Sequence, residues 1–397
     1  MSRQDADVIV VGGGPAGAAT AYRLNRRGLD VLLLDKARFP REKACGEYLS
    51  PGVWDVLARM DARPRIESIE HRAHSGMLIR TPHEQFMIGY DQRIEPHLAL
   101  SIQRPALDEA LLRHAEQAGV RIAQQRAVAG ALVEEGRVVG VRLRAVDSRE
   151  ELRARFVVAA DGLHSTVARS LGLERKLRWP RRLGLIARYR TPPDARLRAE
   201  MHVGSGLYCG LNPVGADLVN VGLVGKLGSK RPGESTAELF ERRLAELPEA
   251  KRTLTCGNRV TPIRGMGPLA RRVRRVSGPG YLLVGDAAGF LDPFTGEGIF
   301  RALHGAELAA DAIVAAVNRD LTAPFAYDEA RRREFAAKER LCVMIQLLLG
   351  SDWALDYALR RLRSRASRSI ALSGVLGDYI PASIGAGPAQ MLHLLKP

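Results

Sequence analysis

The sequence has few cysteines and no apolar run long enough to cross a bilayer. Its four cysteines, Cys45, Cys209, Cys256 and Cys342, are scattered without C-x-x-C spacing. No charged-then-apolar leader precedes the first strand-like stretch, and no apolar stretch approaches the roughly 20 residues that a transmembrane helix needs. We therefore expect a protein of a reducing, cytoplasmic setting that does not span a membrane.

Residue patterns for metal binding and for nucleophilic hydrolysis are also missing. His71 and His74 are three residues apart without a ligand set around them, and His304 stands alone on a predicted helix. The sequence suggests no Ser-His-Asp arrangement. We predict that there is no metal site and that the chemistry comes from an organic cofactor, which the protein positions and shields from water.

Positive charge is in excess, with 60 Lys and Arg residues against 44 Asp and Glu. The basic residues are largely arginines dispersed along predicted helices, without a nucleic-acid-binding module or regular aromatic interleaving. We therefore expect no nucleic-acid partner.

The length of 397 residues and the hydrophobic fraction of 46% suffice for two buried cores and an appended segment.

The start of the chain carries a glycine fingerprint in the context that dinucleotide binding requires. A buried strand at 7–11 runs into G-x-G-x-x-G and then into a helix. Gly12 would form the tight turn, Gly14 would let the backbone reach a pyrophosphate, and Gly17 would let the helix pack on the strand. Asp35 ends the next predicted strand, where a carboxylate would bind the ribose hydroxyls of adenosine. This order predicts a bound dinucleotide.

A second motif lies at 285–299, after an apolar strand and before a long helix. Asp286 could accept hydrogen bonds from sugar-like hydroxyls, while Gly296 and Gly298 would let a helix N-terminus approach a group that becomes negative. A flavin offers both targets in its ribityl chain and its pyrimidine edge. The alternative is an ordinary helix start at which Asp286 only turns the chain.

A third strand-to-turn segment lies between them and ends in Asp161-Gly162. In this order the three motifs resemble those of the FAD-dependent flavoprotein family of the para-hydroxybenzoate hydroxylase type, over roughly 7–305. More narrowly, the chain resembles the geranylgeranyl reductase branch, because of Lys43-Ala44-Cys45-Gly46-Glu47 and because Glu297 stands between two glycines where aromatic hydroxylases usually have Gln.

The resemblance implies an α/β fold, with a Rossmann-like FAD-binding domain interleaved with a mostly antiparallel β-sheet substrate domain and followed by a C-terminal helical segment. The sequence patterns agree, since 127–134, 137–145 and 152–160 predict an antiparallel meander. The strands predicted for the substrate sheet are 183–189, 199–203, 206–211 and 218–224. The predicted domains are FAD-binding at 1–65, 104–178 and 276–330, substrate-binding at 66–103 and 179–275, and helical at 331–397.

The predicted FAD contacts come from the three motifs and from one arginine that begins a predicted helix. Arg104 is included because the resembled family has an arginine near the FAD at this point; the alternative is an exposed residue at a helix start. The complete set is Gly12, Gly14, Ala16, Gly17, Asp35, Lys36, Arg104, Asp161, Gly285, Asp286, Gly296, Gly298 and Ile299.

The resemblance also indicates residues near the reacting atoms. Cys45 would face the active site, where its thiol could donate a proton or shape the pocket, unless it is a small buried hydrophobic residue. Pro293 would pack by the flavin ring, and Glu297 would orient that loop or point into solvent. Residues expected to line an apolar pocket, unless they are plain core and turn residues, are Tyr208, Cys209, Leu211 and Asn212.

The predicted reaction is reduction of a carbon-carbon double bond in an apolar isoprenoid or polyketide-like substrate by hydride transfer from reduced flavin. NAD(P)H would be a transient donor, because the chain shows no second dinucleotide fingerprint. The main alternative is a flavin monooxygenase that hydroxylates a phenolic or polyketide-derived substrate, and an alternative of another class is a non-catalytic carrier. A halogenase is disfavoured because the Trp-x-Trp-x-Ile-Pro signature is absent. The segment 207–213 also departs from the pattern of prenyl reductases.

The C-terminal segment combines apolar and basic residues. An arginine cluster at 360–368 follows apolar residues at 347–357, which is typical either of an amphipathic helix at an anionic lipid surface or of a solvated helix face. The first alternative predicts peripheral membrane contact through this segment. The sequence does not indicate an oligomeric state.

Overall fold

The fold is described from a computed structural model of the chain. The described residues are 4–90, 98–144, 150–175, 177–192, 197–204, 206–254, 258–318 and 323–385.

The strands of the described residues lie between residues 6 and 283. In chain order they are β1 Ala6–Val11, β2 Val31–Asp35, β3 Tyr48–Leu49, β4 Arg72–His74, β5 Gly76–Arg80, β6 Gln85–Gly89, β7 Ala99–Ser101, β8 Arg121–Gln124, β9 Val128–Glu134, β10 Arg137–Leu143, β11 Glu151–Ala159, β12 Glu174–Arg175, β13 Arg182–Arg190, β14 Glu200–Gly204, β15 Leu207–Pro213, β16 Leu218–Lys226, β17 Asn258–Arg259, β18 Arg264–Met266, β19 Arg272–Val273, β20 Ser277–Gly278 and β21 Tyr281–Leu283.

The helices alternate with strands in the first half and dominate the end of the chain. They are α1 Pro15–Asn25, α2 Val53–Ala58, α3 Arg63–Glu67, α4 Arg104–Gln117, α5 Thr166–Ser170, α6 Thr236–Ala245, α7 Pro248–Thr253, α8 Gly298–Val317, α9 Ala323–Leu348, α10 Asp352–Arg363, α11 Ala366–Leu376 and α12 Ala382–Gly385, with a 3-10 turn at Gly285–Ala288.

The first sheet has the strand order β20-β21-β11-β1-β2-β8, and its central pairs are parallel. Strand β1 reads as an almost unbroken apolar run and is buried, as expected for a parallel strand covered on both faces. Helices α1, α4 and α8 contribute to the same hydrophobic core as this sheet. The predicted meander is present as β9, β10 and β11, which pair antiparallel.

The second sheet has the order β17-β13-β16-β15-β14-β5-β6, with β18 also paired to β13. All its pairs are antiparallel except that of β14 with β5. Strand β7 pairs with β3 and β4 in a separate three-stranded sheet. The α/β fold with an interleaved antiparallel sheet is confirmed.

The C-terminal part is helical, as predicted, through α9 to α12; residues 386–397 of the predicted segment lie outside the described residues. The boundary predicted after residue 330 falls inside α9. Apolar side chains of α9, α10 and α11 pack with those of β5 and β6 in one hydrophobic cluster. None of the helices in the described part of the chain has both the length and the apolar character that a membrane crossing needs.

Helix α8 is tied to α1 and α2 by the carboxylate of Glu307. Arg59 donates two hydrogen bonds of 2.9 Å to its two oxygens, and Arg23 approaches it at 3.3 Å. His304 lies 3.1 Å from Oε2 on the same helix. Burial alone would raise the pKa of Glu307, but the hydrogen bonds of His304 and Arg59 and the charge of Arg23 lower that pKa to about 2.

We predict that Glu307→Gln lowers the free energy of unfolding by about 1–2 kcal/mol at neutral pH, a value discounted for partial exposure. A depressed carboxyl pKa stabilises the fold above its unfolded value near 4.5, and this contribution is lost as the pH falls towards 2. Urea unfolding at several pH values should therefore show a difference between wild type and variant that shrinks below about pH 4.5.

The matched control is Glu329→Gln on α9, whose carboxylate meets Arg333 in an exposed pair. We expect a change within about 0.5 kcal/mol for this variant. A difference for Glu307→Gln that stays constant from pH 7 to pH 3 would contradict the assignment.

Candidate active site

A cavity of about 640 Å³ lies between the two large sheets, and the three sequence motifs meet in it. The motifs converge because β1, β11 and β21 are neighbours in a parallel arrangement, so the loops after these strands leave the same edge of the sheet. The predicted residues that line the cavity are Gly12, Gly14, Ala16, Asp35, Lys36, Cys45, Arg104, Asp161, Tyr208, Leu211, Asn212, Gly285, Asp286, Pro293, Gly296, Gly298 and Ile299.

Gly17 does not line the cavity. A Cβ atom on this glycine would lie 1.8 Å from the carbonyl oxygen of Gly12 and 3.1 Å from Cβ of Ala160. The residue therefore permits close packing of α1 on the turn after β1, which is the reason given for it above. We therefore correct the predicted FAD contact of Gly17 to a packing role.

Cys209 is also placed differently from the prediction. It is fully buried and belongs to the hydrophobic cluster on the other side of the second sheet, with Leu223 and Phe240. Side chains alternate between the two faces of a strand, so Tyr208 and Cys209 cannot both face the cavity. Burial raises the pKa of the Cys209 thiol to about 12. Cys209 is therefore a core residue, and the side chain of Leu211, two residues further along β15, belongs to the same cluster.

Glu297 points neither into the cavity nor into solvent. It is 6% exposed and forms ion pairs with Arg301 at 3.1 Å and with Lys338 of α9 at 3.3 Å. Lys338 in turn contacts Asp378, after α11. Burial alone would raise the pKa of Glu297, but the charges of Lys338 and Arg301 hold it below its usual range. Glu297 thus fixes the loop before α8 and is not itself a group at the reacting atoms.

Two helix N-termini without side-chain caps border the cavity. Helix α1 follows Gly14 and α8 follows Glu297, and neither has a capping side-chain hydrogen bond or an acidic residue in its first turn. The backbone N–H groups there are available to a ligand, and both helix dipoles favour negative charge. This donor set fits the diphosphate and the pyrimidine edge of FAD.

Two carboxylates on the cavity wall also fit a dinucleotide. Asp35 accepts hydrogen bonds from the backbone N–H of Gly13 at 2.7 Å and of Ala37 at 2.8 Å, so it fixes the glycine turn. Asp161 accepts from Thr166 at 2.6 Å, while its Oδ1 is buried and has no hydrogen-bond partner among the described residues. Burial raises the pKa of Asp161. An unpartnered buried oxygen suits a ligand hydroxyl.

Two cations beside carboxylates of the cavity wall, Asp286 and Asp35, were not predicted as site residues. The Nζ atom of Lys43 lies 3.7 Å from Oδ2 of Asp286, and Arg41 lies 3.8 Å from Oδ2 of Asp35. Lys43 belonged to the motif on which the resemblance rests, but nothing in the sequence indicated which face of the loop it would occupy. Both side chains border the cavity and add positive charge where the cofactor's diphosphate would be bound.

The loop that carries Cys45 is held by a buried carboxylate that the sequence did not single out. Glu47 is inaccessible to solvent and has a φ of 57°. Its Oε1 accepts from the backbone N–H of Arg104 at 2.9 Å, and its Oε2 accepts from Asn220 at 2.7 Å and from Nε of Arg188 at 3.0 Å. The carboxylate therefore joins α4 to β13 and β16.

Side-chain amides of the second sheet hold the same loop. Asn212 donates to the carbonyl of Gly46 at 2.9 Å, and Asn220 donates to the carbonyl of Cys45 at 2.9 Å. Cys45 is half-buried and borders the cavity. Asn212 thus acts on the loop as well as lining the pocket.

Arg104 borders the cavity, but its guanidinium is already bound. Its Nε and one terminal nitrogen donate to the two oxygens of Asp108 at 2.8 Å each, in a bidentate pair that is almost fully buried. The alternative of an exposed residue at a helix start is wrong, since only 4% of Arg104 is accessible. Its contact with the cofactor stays a prediction.

The Pro293 loop is attached to the second sheet by Tyr208. The Tyr208 hydroxyl donates to Oδ1 of Asp292 at 2.5 Å, and the N–H of Phe294 donates to the same oxygen at 3.0 Å. The rings of Tyr208 and Phe294 meet edge to face at 5.1 Å. The second sheet therefore fixes the loop that borders the predicted flavin position.

We predict that Asp286→Ala weakens FAD binding about tenfold, which corresponds to the loss of one hydrogen bond of about 1.4 kcal/mol. Fluorescence titration of the apoprotein with FAD measures this change. Asp311→Ala is the control, because Asp311 lies on α8 in an exposed pair with Arg27. Equal FAD affinity in Asp286→Ala and in the wild type would rule out the ribityl contact.

Comparisons with known proteins agree with this geometry. Residues 5–338 match the FAD binding domain family. Digeranylgeranylglycerophospholipid reductase 1 of Methanopyrus kandleri is 33% identical over 324 residues, covering 80% of this chain and 82% of the relative. Menaquinone reductase of Mycolicibacterium smegmatis is 29% identical over 357 residues, covering 86% of this chain and 85% of the relative.

A solved structure has the same fold. The chondrochloren halogenase CndH, a myxobacterial FAD-dependent halogenase, superposes with a TM-score of 0.79 at 26% identity, covering 86% of this chain and 82% of that chain. The matched region contains all three motif turns, which meet in one cavity with donors suited to FAD. The chain belongs to the FAD binding domain family and is an FAD-dependent oxidoreductase.

Proposed function

We propose that this protein reduces carbon-carbon double bonds of an apolar isoprenoid substrate with reduced FAD. The observation that carries the proposal is a single cavity with two different walls. The motif turns form one wall, and the other is the face of the second sheet, with apolar residues that include Met77, Ile186, Met201 and Val224. Both relatives named above are reductases, and digeranylgeranylglycerophospholipid is the substrate in the name of one.

When bound, FAD would supply the hydride. The residues of this chain would bind and orient it. The N–H groups that begin α1 would hold the diphosphate, and those that begin α8 would favour negative charge on the pyrimidine edge. The Sγ atom of Cys45 accepts a hydrogen bond from the backbone N–H of Glu47 at 3.3 Å. In this proposal the Cys45 thiol, which borders the cavity, would donate the proton that finishes the reduction at the second carbon. The Glu47 anchor keeps this thiol at the cavity wall.

The proposal includes NAD(P)H as a transient electron donor. Two observations support this choice: the glycine fingerprint after β1 is assigned to FAD, and the sequence offers no second one. A donor without its own domain must enter the cavity from outside and leave before the substrate is reduced.

Hydroxylation or halogenation is the second candidate, because the chain also resembles a halogenase structure. The Trp-x-Trp-x-Ile-Pro signature is absent from the whole sequence. The two reductase relatives named above match at 33% and 29% identity. Membership in an FAD-dependent oxidoreductase family argues against a non-catalytic carrier.

We predict that photoreduced, FAD-loaded enzyme is reoxidised by dispersed digeranylgeranylglycerophospholipid without oxygen, and that the lipid gains two hydrogens per reduced bond. Stopped-flow absorbance and mass spectrometry measure the two events. The fully saturated lipid is the control and should not reoxidise the flavin. Hydroxylated or halogenated product that forms only in air would support the second candidate instead.

We also propose that the C-terminal helices touch an anionic membrane. Trp353 is 70% exposed and Leu347 is 62% exposed, which fits insertion at a lipid surface. Arg360 and Arg363 stand on α10, although both also approach Glu84, at 3.5 Å and 3.2 Å. An apolar substrate that resides in a bilayer would make such contact useful.

Liposome flotation at low salt tests this contact. We expect the protein to float with anionic vesicles and expect Trp353→Ser to reduce the floating fraction several-fold, since a buried indole contributes much of the insertion free energy. Trp179→Ser is the control, because Trp179 is exposed to 48% before β13 and outside the C-terminal helices. Absence of the wild-type protein from the floating fraction would refute the contact.

A further inference from the structure

The cavity face of the second sheet contains a pair of glycines where side chains would be expected. Strands β15 and β16 bring three successive cross-strand pairs to this face. They are Tyr208 with Val224, Gly210 with Gly222, and Asn212 with Asn220. Across the strands, the glycine pair is flanked by Met201 on β14, which pairs with Gly210, and by Ile186 on β13, which pairs with Gly222. These four residues form one row, and all of them line the cavity.

Backbone conformation does not explain these glycines. Both lie in regular strands, and neither has a φ in the left-handed region. A Cβ atom on Gly222 would meet nothing within 4 Å. One on Gly210 would make ordinary van der Waals contacts with Cε of Met201 at 3.6 Å, Sδ of Met201 at 3.9 Å and the carbonyl oxygen of Gly222 at 4.0 Å. Glycine inside a strand weakens it and often marks a place where a ligand approaches the backbone.

The two glycines form the floor of a trough with unlike sides. One side carries Tyr208 and Val224. The other carries Asn212 and Asn220, whose amides hold the carbonyls of the Cys45 loop. Because same-face residues on a strand recur every two positions, the two sides stand roughly 13 Å apart along the strands. A group that lies in the trough is therefore adjacent to the Cys45 loop.

We propose that the Gly210–Gly222 pair determines substrate specificity, because it lets a methyl-branched isoprenoid chain lie directly on the sheet backbone beside Cys45. This inference rests on the proposed function and adds the subsite that admits the chain. Branch methyls thicken a chain at regular intervals, and bare backbone accommodates them where a leucine or phenylalanine would not. The apolar residues at both ends of the row, Met201 and Ile186, complete the contact surface.

Leucine substitutions in the trough test the proposal. Gly222→Leu and Gly210→Leu should each weaken binding of dispersed digeranylgeranylglycerophospholipid at least tenfold, and Gly222→Ala should have a smaller effect. Binding is followed as a change in the absorbance of the oxidised, FAD-loaded enzyme. FAD content and the rate of anaerobic photoreduction should match the wild type, which also shows that the variants are folded.

Gly89→Leu is the matched control. Gly89 ends β6 in the same sheet, a Cβ atom there would meet nothing within 4 Å, and the residue does not border the cavity. Its lipid binding should equal that of the wild type.

Reoxidation of photoreduced enzyme by the same lipid separates the two proposals. Wild-type reoxidation together with unchanged binding in both leucine variants would overturn the trough and leave the reductase function standing. Wild-type binding without reoxidation, lost in the leucine variants, would support the trough and overturn the reductase function. A wild type that does not bind the lipid would overturn both.

Discussion

The arrangement of the site depends on one buried carboxylate. Glu47 accepts hydrogen bonds from α4, β13 and β16, and thereby connects the FAD side of the molecule to the second sheet. A buried charge is tolerated only when it is paired, and here Arg188 supplies the opposite charge. The left-handed backbone at Glu47 is unfavourable for a non-glycine residue, and these contacts compensate for it. The position of Cys45 follows from this anchor.

Polar contacts between distant parts of the chain also join two walls of different chemistry into one cavity. The cofactor wall consists of turns after parallel strands, where backbone N–H groups of α1 and α8 remain unpaired by side chains. The opposite wall is a sheet face from which bulky groups are missing at Gly210 and Gly222. Tyr208 and Asp292 connect the walls at the other end. Cofactor and substrate are thus positioned by one connected set of polar contacts around an apolar space.

Much of the cofactor side could be predicted from the sequence, because its determinants are local: strand, glycine turn, helix and acid follow one another within a few residues. The errors have physical reasons. Cys209 lies in a strand that is buried on both faces, so the sequence did not reveal which face meets the cavity. The partners of Glu47 and Glu297 are distant in the chain, as Arg188 and Lys338 show. The open space at Gly222 depends on three strands that only the fold brings together.

The ion pairs behind the cofactor loop make the end of the chain part of the site. Glu297 precedes α8, Lys338 lies on α9, and Asp378 follows α11, yet their three side chains are buried in one series of ion pairs. The backbone at Asp378 also occupies the space beside Gly52 that a larger residue would need. A shortened chain that ended before Asp378 would leave Lys338 with Glu297 as its remaining acidic partner. Through Lys338 the C-terminal helices therefore supply a counterion to Glu297 in the cofactor loop, so helices that are far from the cofactor in the chain help to fix its site.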